Sequence, residues 1–120
     1  MANPFVHIEL NTQDPAKARE FYTRLFDWKL EDVPMPMGTY TMINVGEGTG
    51  GGMMQHPMPG APSMWLAYVL VSDINAATER ARSLGANIVK DVTEIPGAGW
   101  LSIIIDPTGA PLGLWKSKGS

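Results

Sequence analysis

The chain has 120 residues, 44% of them hydrophobic and 18% charged, which suits one globular domain with a core of its own and excludes a disordered segment. It contains no cysteine, so a disulfide scaffold, a thiolate metal site and a cysteine nucleophile are all ruled out. The net charge is −3 with nine scattered Lys and Arg, which gives no basic stripe for nucleic acid, and no apolar run approaches the length of a membrane span. The start Met1-Ala2-Asn3-Pro4-Phe5 lacks the basic residues and apolar run of a secretion signal, so a cytoplasmic location is expected.

Phe5 to Asn11 reads as a strand, because Val6, Ile8 and Leu10 alternate with His7, Glu9 and Asn11. Asp14 caps a helix that has Pro15 at its first position, where no amide hydrogen is needed. Ala18, Phe21, Tyr22 and Leu25 give that helix, over about residues 15–26, an apolar stripe expected to be buried. Trp28 to Val33 reads as a second strand, ended by Pro34 and Pro36, and Tyr40 to Val45 as a third. The glycine-rich turn Gly46 to Gly52 leads into a short fourth strand, Gly52 to Gln55. It opens no helix, so it is neither a dinucleotide fingerprint nor a phosphate loop.

Residues 56–63 form a proline-rich linker, after which the pattern restarts. Trp65 to Val71 reads as a strand. Ser72 or Asp73 caps a helix over about residues 73–84, with apolar positions Ile74, Ala77, Ala81 and Leu84, and Gly85 ends it. Asn87 to Val92, Trp100 to Ile105 and Leu112 to Trp115 supply three more strands, the last two joined by the turn Asp106-Pro107-Thr108-Gly109. Asp14 aligns with Asp73, Ala18 with Ala77 and Leu25 with Leu84, an internal repeat of about 59 residues. The expected fold is α+β: two tandem βαβββ modules forming a curved eight-stranded mixed sheet around a cavity. The modules are expected at about residues 4–55 and 64–116 of a single domain, with helices near 15–26 and 73–84 on the convex side.

Glu9 is the main candidate for chemistry. A carboxylate in the middle of an inward strand face is costly unless something pairs with it, so it can serve as a general base or as an anchor for a ligand's hydroxyl or amine. A structural hydrogen bond or a solvated strand face is the competing explanation. His7 shares that face and is a candidate partner. Tyr68, Trp100 and Trp115 are candidates for an aromatic cavity wall, with core or dimer packing as their alternative role. Trp28 and Trp65 read as structural. Met35, Met37, Met53, Met54, Met58 and Met64 can form a pliable rim or fill gaps.

The ordered set Val6-His7-Ile8-Glu9-Leu10, Asp14-Pro15-Ala16-Lys17-Ala18, Phe21-Tyr22, Val71-Ser72-Asp73, Leu84-Gly85-Ala86 and Asp106-Pro107-Thr108-Gly109 resembles the vicinal oxygen chelate superfamily. That superfamily includes glyoxalase I, bleomycin-resistance proteins, fosfomycin-resistance enzymes and extradiol dioxygenases. The stretch Glu9 to Pro15, with Phe26-Asp27-Trp28 and Trp65 to Val69, looks like its single-domain bacterial glyoxalase/bleomycin-resistance-like branch.

The resemblance implies four metal-ligand positions, on the first and last strands of each half. They fall on His7, at or next to Met54, on Leu66 and on Gly113. Only His7 carries a suitable donor, so no metal cofactor is expected. A trio of His7, Glu9 and His56 is the alternative site for a divalent ion.

The resulting expectation is a metal-free protein that binds a small organic molecule through His7, Glu9, Met54, Leu66, Tyr68, Trp100 and Trp115. The alternative is a glyoxalase-type lyase or isomerase using Glu9. The resemblance also implies a homodimer. A vestigial cavity serving protein interaction is a third reading.

Overall fold

The computed structural model describes residues 2–36 and 38–119; Met37, one of the methionines of the expected rim, lies outside them. Along the chain come β1 (Phe5–Thr12), α1 (Pro15–Leu25), β2 (Lys29–Met35), β3 (Gly38–Asn44) and β4 (Gly51–Gln55). Then follow β5 (Met64–Leu70), α2 (Ile74–Ser83), β6 (Asn87–Ile95), β7 (Gly99–Ile105) and β8 (Pro111–Ser117). The fold is α+β, built from two tandem βαβββ modules. In the first the strands lie in the order β2-β3-β4-β1, with β1 parallel to β4 and the other pairs antiparallel. In the second the order is β5-β8-β7-β6, again with one parallel pair, β5 with β8.

Internal contacts divide the chain into two compact units, one of His7–Leu66 and one of the residues up to Val6 with those from Ala67 onward. The linker 56–63 belongs to the first unit. The Gln13 side-chain amide donates to the carbonyls of Met58 and Ala61 at 3.0 and 2.7 Å, and the His56 N–H donates to the Thr12 carbonyl at 2.8 Å.

Both helices start as their sequences require. The Asp14 carboxylate accepts the Lys17 N–H and that of Asp73 accepts the Ala76 N–H, each at 3.0 Å, so each cap satisfies one of the free amides of the first turn. Helix α1 packs through Ala18 and Tyr22 on a core of Leu10, Ile43 and Met53. Helix α2 packs through Ile74, Ala77 and Ala81 on Ile104 and Leu114. Among the described residues no helix is long and apolar enough to cross a membrane.

Four expectations about these elements are corrected. The stripe of α1 is narrower than its apolar residues imply: Ala18 and Tyr22 meet the sheet, while Phe21 and Leu25, one residue earlier and three later than Tyr22, form a second row that is more than half exposed. Leu84 is the C-cap of α2 and is likewise exposed. Strand β2 does not stop before Pro34 but runs through it to Met35, with Pro34 opposite Thr39. It is the outermost strand of its module, where a missing N–H leaves no ladder bond unmade. Strand β6 continues past Val92 to Ile95, its register slipping between Ile88 and Thr93.

These cores fix which residues face away from the helices. In the first module Leu10, Ile43 and Met53 point to α1. By alternation His7, Glu9 and Asn11 of β1, Gly52 and Met54 of β4, and Tyr40 and Met42 of β3 occupy the opposite face. In the second module Ile104, Leu112 and Leu114 face α2, which leaves Tyr68, Gly113, Trp115, Leu101 and Ile103 on the other side.

Candidate functional site

The helix-free face of the first module carries a polar cluster built around Glu9. The Glu9 residue is only 7% exposed, and a carboxylate that deep must be paired. The Tyr40 hydroxyl donates to its Oε2 at 2.8 Å, and the Asn11 side-chain amide donates to Oε1 at 3.3 Å. The Tyr40 oxygen lies 2.7 Å from His7 Nε2, and the two rings are nearly parallel, at 25° with centroids 6.2 Å apart. Burial pushes the His7 imidazole below its ordinary pKa, while the nearby Glu9 charge opposes that shift. His7, Glu9 and Asn11 are brought together by strand alternation alone, since residues two apart on β1 share a face.

Tyr40 reaches them for a different reason. It comes from β3, and β4 lies between β3 and β1. At the crossing point β4 has Gly52, paired with Glu9 on one side and Met42 on the other. A Cβ at Gly52 would overlap the Tyr40 hydroxyl and ring carbons, so only glycine lets the phenol lean over β4 to the carboxylate. Tyr40 and Asn11 are the members that sequence reasoning missed. Asn11 was within reach, as the third term of the His7–Glu9 alternation. The signal for Tyr40 was the pair Gly51-Gly52 inside a strand, which marks a place where something approaches closely.

The other candidates are distributed as follows. Leu66 is buried on β5, and Trp65 beside it turns to the α1 side, where its indole meets Tyr22 and Trp28 edge-on at 5.5 and 6.3 Å. Met54 lies on the Glu9 face and is partly buried. Tyr68 is 3% exposed in the second module, its ring lying where a Cβ of Gly113 would be. Trp115 shares that face and its indole N–H donates to Ser117 Oγ at 3.0 Å.

Trp100, expected on a cavity wall, is on the opposite face. It packs with the α2 core, with the ammonium groups of Lys116 and Lys118 5.9 and 5.4 Å from its ring centre. Its parity is that of Ser102 and Ile104, and Ser102 is fully buried against Thr78 of α2 at 2.9 Å.

The strand register also corrects one correspondence between the modules. Glu9 pairs with Gly52 and Tyr68 with Gly113, so the counterpart of Gly113 is Gly52 and not Met54. The hairpin of β6 and β7, Asn87 to Ile105, is longer than that of β2 and β3, Lys29 to Asn44, by more than the shorter loop before β8 takes back, which is why an alignment at constant offset slips there.

The donors at hand do not fit a divalent ion. Of His7, Met54, Leu66 and Gly113, only His7 has a suitable donor, and its Nε2 is engaged by Tyr40. Replacing Met54 by Gly52 adds no donor. The trio of His7, Glu9 and His56 is not assembled either: the His56 Nδ1 accepts the Met58 N–H at 3.0 Å, and among the described residues no three His, Cys, Asp or Glu side chains gather as a metal site.

Two hollows in the first module lie apart from the cluster. One of about 380 Å³ is lined by Glu31, Met42, Asn44 and the turn after Val45. The other, about 210 Å³, is apolar and is lined by Ile8, Trp28, Val45 and Trp65.

Residues 5–114 match the family model described as the Glyoxalase/Bleomycin resistance protein/Dioxygenase superfamily. The chain is 35% identical over 119 residues to CFP32 of Mycobacterium bovis, which is provisionally named a glyoxylase; the match covers 92% of this chain and 44% of that protein. It is 25% identical over 123 residues to the anthracycline biosynthesis protein DauV of Streptomyces sp. (strain C5), covering 90% of this chain and 45% of the relative. The chain thus spans about half the length of the curated relatives it matches. The crystal structure of methylmalonyl-CoA epimerase from Mycobacterium tuberculosis superposes with a TM-score of 0.70 at 17% identity, covering 94% of this chain and 87% of that one, a likeness of fold alone. With a match over nearly its whole length, the chain belongs to the Glyoxalase/Bleomycin resistance protein/Dioxygenase superfamily.

Proposed function

We propose that the protein binds a small organic molecule, without a resident metal, on the Glu9 face of its first module. One observation carries this reading: a buried carboxylate held by Tyr40 and Asn11, with an imidazole completing the set. Any carboxylate buried this deep needs partners, and Glu9 has them on the face that carries no helix to cover it. A fixed shell is what a binding site needs, because groups already in place lose little freedom when the ligand arrives. His7 and Tyr40 are only partly buried, so a ligand's polar head can approach them. Met54 and Met42 flank the cluster on the same face and can adapt to the ligand's apolar part. The relative named for anthracycline biosynthesis is consistent with a flat polycyclic ligand.

The test is a thermal-shift screen of small polar and polycyclic molecules against the wild type, Glu9→Gln and Tyr40→Phe. Ligands that stabilise the wild type are expected to lose most of their effect in Glu9→Gln. Stabilisation unchanged in both variants would refute the reading.

A second reading is favoured by the hydrogen-bond chain from His7 through Tyr40 to Glu9. It is a path along which a proton can be taken from a carbon acid and returned, as an isomerase or epimerase requires. Solved neighbours of this fold include methylmalonyl-CoA epimerases bound to acyl-CoA ligands. Incubation with methylmalonyl-CoA in deuterated water checks it: deuterium incorporation abolished by Glu9→Gln would move the protein to the enzyme class.

The working assembly in both readings is a cytoplasmic homodimer. The row of Phe21, Leu25 and Phe26, each between 45% and 57% exposed, is the apolar surface such pairing would cover. Sedimentation at micromolar concentration showing only monomer would remove this part.

A further inference from the structure

Helix α1 turns a face that is part apolar and part charged away from the sheet. Ala18 and Tyr22 meet the core, and the next row, Phe21 and Leu25, is 57% and 56% exposed, continued by Phe26 at 45%. The exposed rings are held in place. Phe21 meets Tyr22 edge-on with ring centroids 4.9 Å apart, and Phe26 lies 4.9 Å from Trp28. Tyr22 and Trp28 in turn pack on the core of the first module. Aromatic groups already fixed lose little freedom when a partner covers them, which makes them good anchors.

Charges run along the outer edge of this row. They are Lys17, Glu20 and Arg24, followed by Asp27 just past the C-cap Phe26. Steps of three and four residues keep the first three on one stripe of the helix, and Asp27 continues it at the end. The signs read plus, minus, plus, minus. Reversing the order exchanges the signs, so the stripe complements a second copy of itself laid antiparallel. With a two-fold axis beside Tyr22, Lys17 meets Asp27 of the second copy, Glu20 meets Arg24 of the second copy, and symmetry repeats both contacts. Laid parallel, each charge would meet its own kind. The same axis brings Phe21 and Leu25 of one copy against that row of the other.

Contacts within the chain leave these charges available. The Glu20–Arg24 pair at 3.4 Å and the Asp27–Lys29 pair at 2.9 Å join side chains between 71% and 93% exposed, and pairs in that setting contribute little. Among the described residues Lys17 takes part in no ion pair. In an interface the rings supply affinity, and the charges choose the orientation.

Resting on the reading of the protein as a homodimer, we infer that its partner is a second copy docked antiparallel along α1, with the Phe21 and Leu25 row at the centre and the Lys17–Asp27 and Glu20–Arg24 pairs formed between copies.

The test is sedimentation of the full chain across micromolar concentrations, with circular dichroism to check that each variant is folded. The wild type is expected to be a dimer and Phe21→Lys a monomer. Lys17→Glu and Asp27→Lys are each expected to weaken self-association about tenfold, because each turns two attractive contacts repulsive. Mixed in equal amounts, these two variants complement each other across the axis, and the mixture is expected to associate as tightly as the wild type. The double variant Lys17→Glu/Asp27→Lys is expected to do so alone. Should Phe21→Lys lose its fold, the charge variants carry the test, since both positions are exposed. A dimer indifferent to Phe21→Lys and to both charge reversals would overturn this interface while the homodimer stands on another face. A dimer broken by Phe21→Lys, yet not weakened by the reversals or not recovered in the mixture, would overturn the antiparallel register. A wild type that stays monomeric would remove the homodimer and this inference together, leaving the row to a lipid surface or a different protein.

Discussion

The two modules repeat one chain path and use it differently at one point. Each has a glycine in its last strand directly opposite the middle of its first strand, Gly52 opposite Glu9 and Gly113 opposite Tyr68. In each, a tyrosine ring fills the space that glycine leaves. In the first module the ring is Tyr40, which crosses from β3 toward β1 and ends on a carboxylate. In the second it is Tyr68, standing on the first strand itself. The same vacancy thus takes a ring that crosses over from another strand in one half and a ring of the first strand in the other. A duplicated fold can keep its backbone device and change what fills it, because a strand glycine specifies a close approach and leaves open what approaches.

Substitutions at the paired glycines give the largest effect and separate these roles. In Gly113→Ala the new methyl meets Cδ2, Cε2 and Cγ of Tyr68, atoms near the root of a buried side chain that has little room to move. A loss of about 1–3 kcal/mol in urea unfolding is expected. In Gly52→Ala the nearest atom is the Tyr40 hydroxyl, the far end of a part-buried ring, so the ring can swing aside. The stability loss should be smaller, but the ring leaves Glu9, and ligand stabilisation should disappear. Equal losses from both substitutions would break the comparison.

Tyr40→Phe is expected to cost about 1 kcal/mol, because it removes one donor from a buried carboxylate and leaves the Asn11 amide in place. Asp14→Ala and Asp73→Ala probe what the modules share. Each removes one N-cap bond of 3.0 Å, and each should cost about 1 kcal/mol or somewhat less, nearly the same in both halves.

The smallest expected signal is in pH. His7 has its pKa lowered by folding, so between the folded and unfolded values the unfolded chain binds more protons. Its contribution is fully present above the ordinary histidine value and is lost as pH falls through that value toward the folded one. Unfolding free energies followed from neutral to mildly acid pH should therefore decline more steeply in the wild type than in His7→Phe; identical slopes would contradict the burial assigned to this ring.

Much of the fold was legible because it depends on local chemistry. Asp14-Pro15 and Asp73 announced the helix starts, and the alternation about Glu9 announced an inward polar row. What failed depended on partners far along the chain. Nothing within Lys29 to Met35 says that the strand is outermost and so tolerates Pro34. Phe21 and Leu25 look as apolar as Tyr22, and only the position of the sheet decides which row it covers. Trp100 could be placed on a face only once its parity with Ser102 was fixed by α2. Of the candidate site, Glu9 and His7 were found from β1 alone. Tyr40 was not, because its role depends on a glycine in a third strand.

The most direct check on Glu9 as the centre of a ligand site is a crystallographic soak with a panel of small polar and polycyclic molecules, refined without assumption about where they bind. The predicted result is a ligand with a polar atom within hydrogen-bond distance of Glu9, His7 or Tyr40 on the helix-free face of the first module. Ligand density confined to the apolar hollow beside Trp28 and Trp65, or to the Tyr68 and Trp115 face, with the Glu9 cluster untouched, would contradict it.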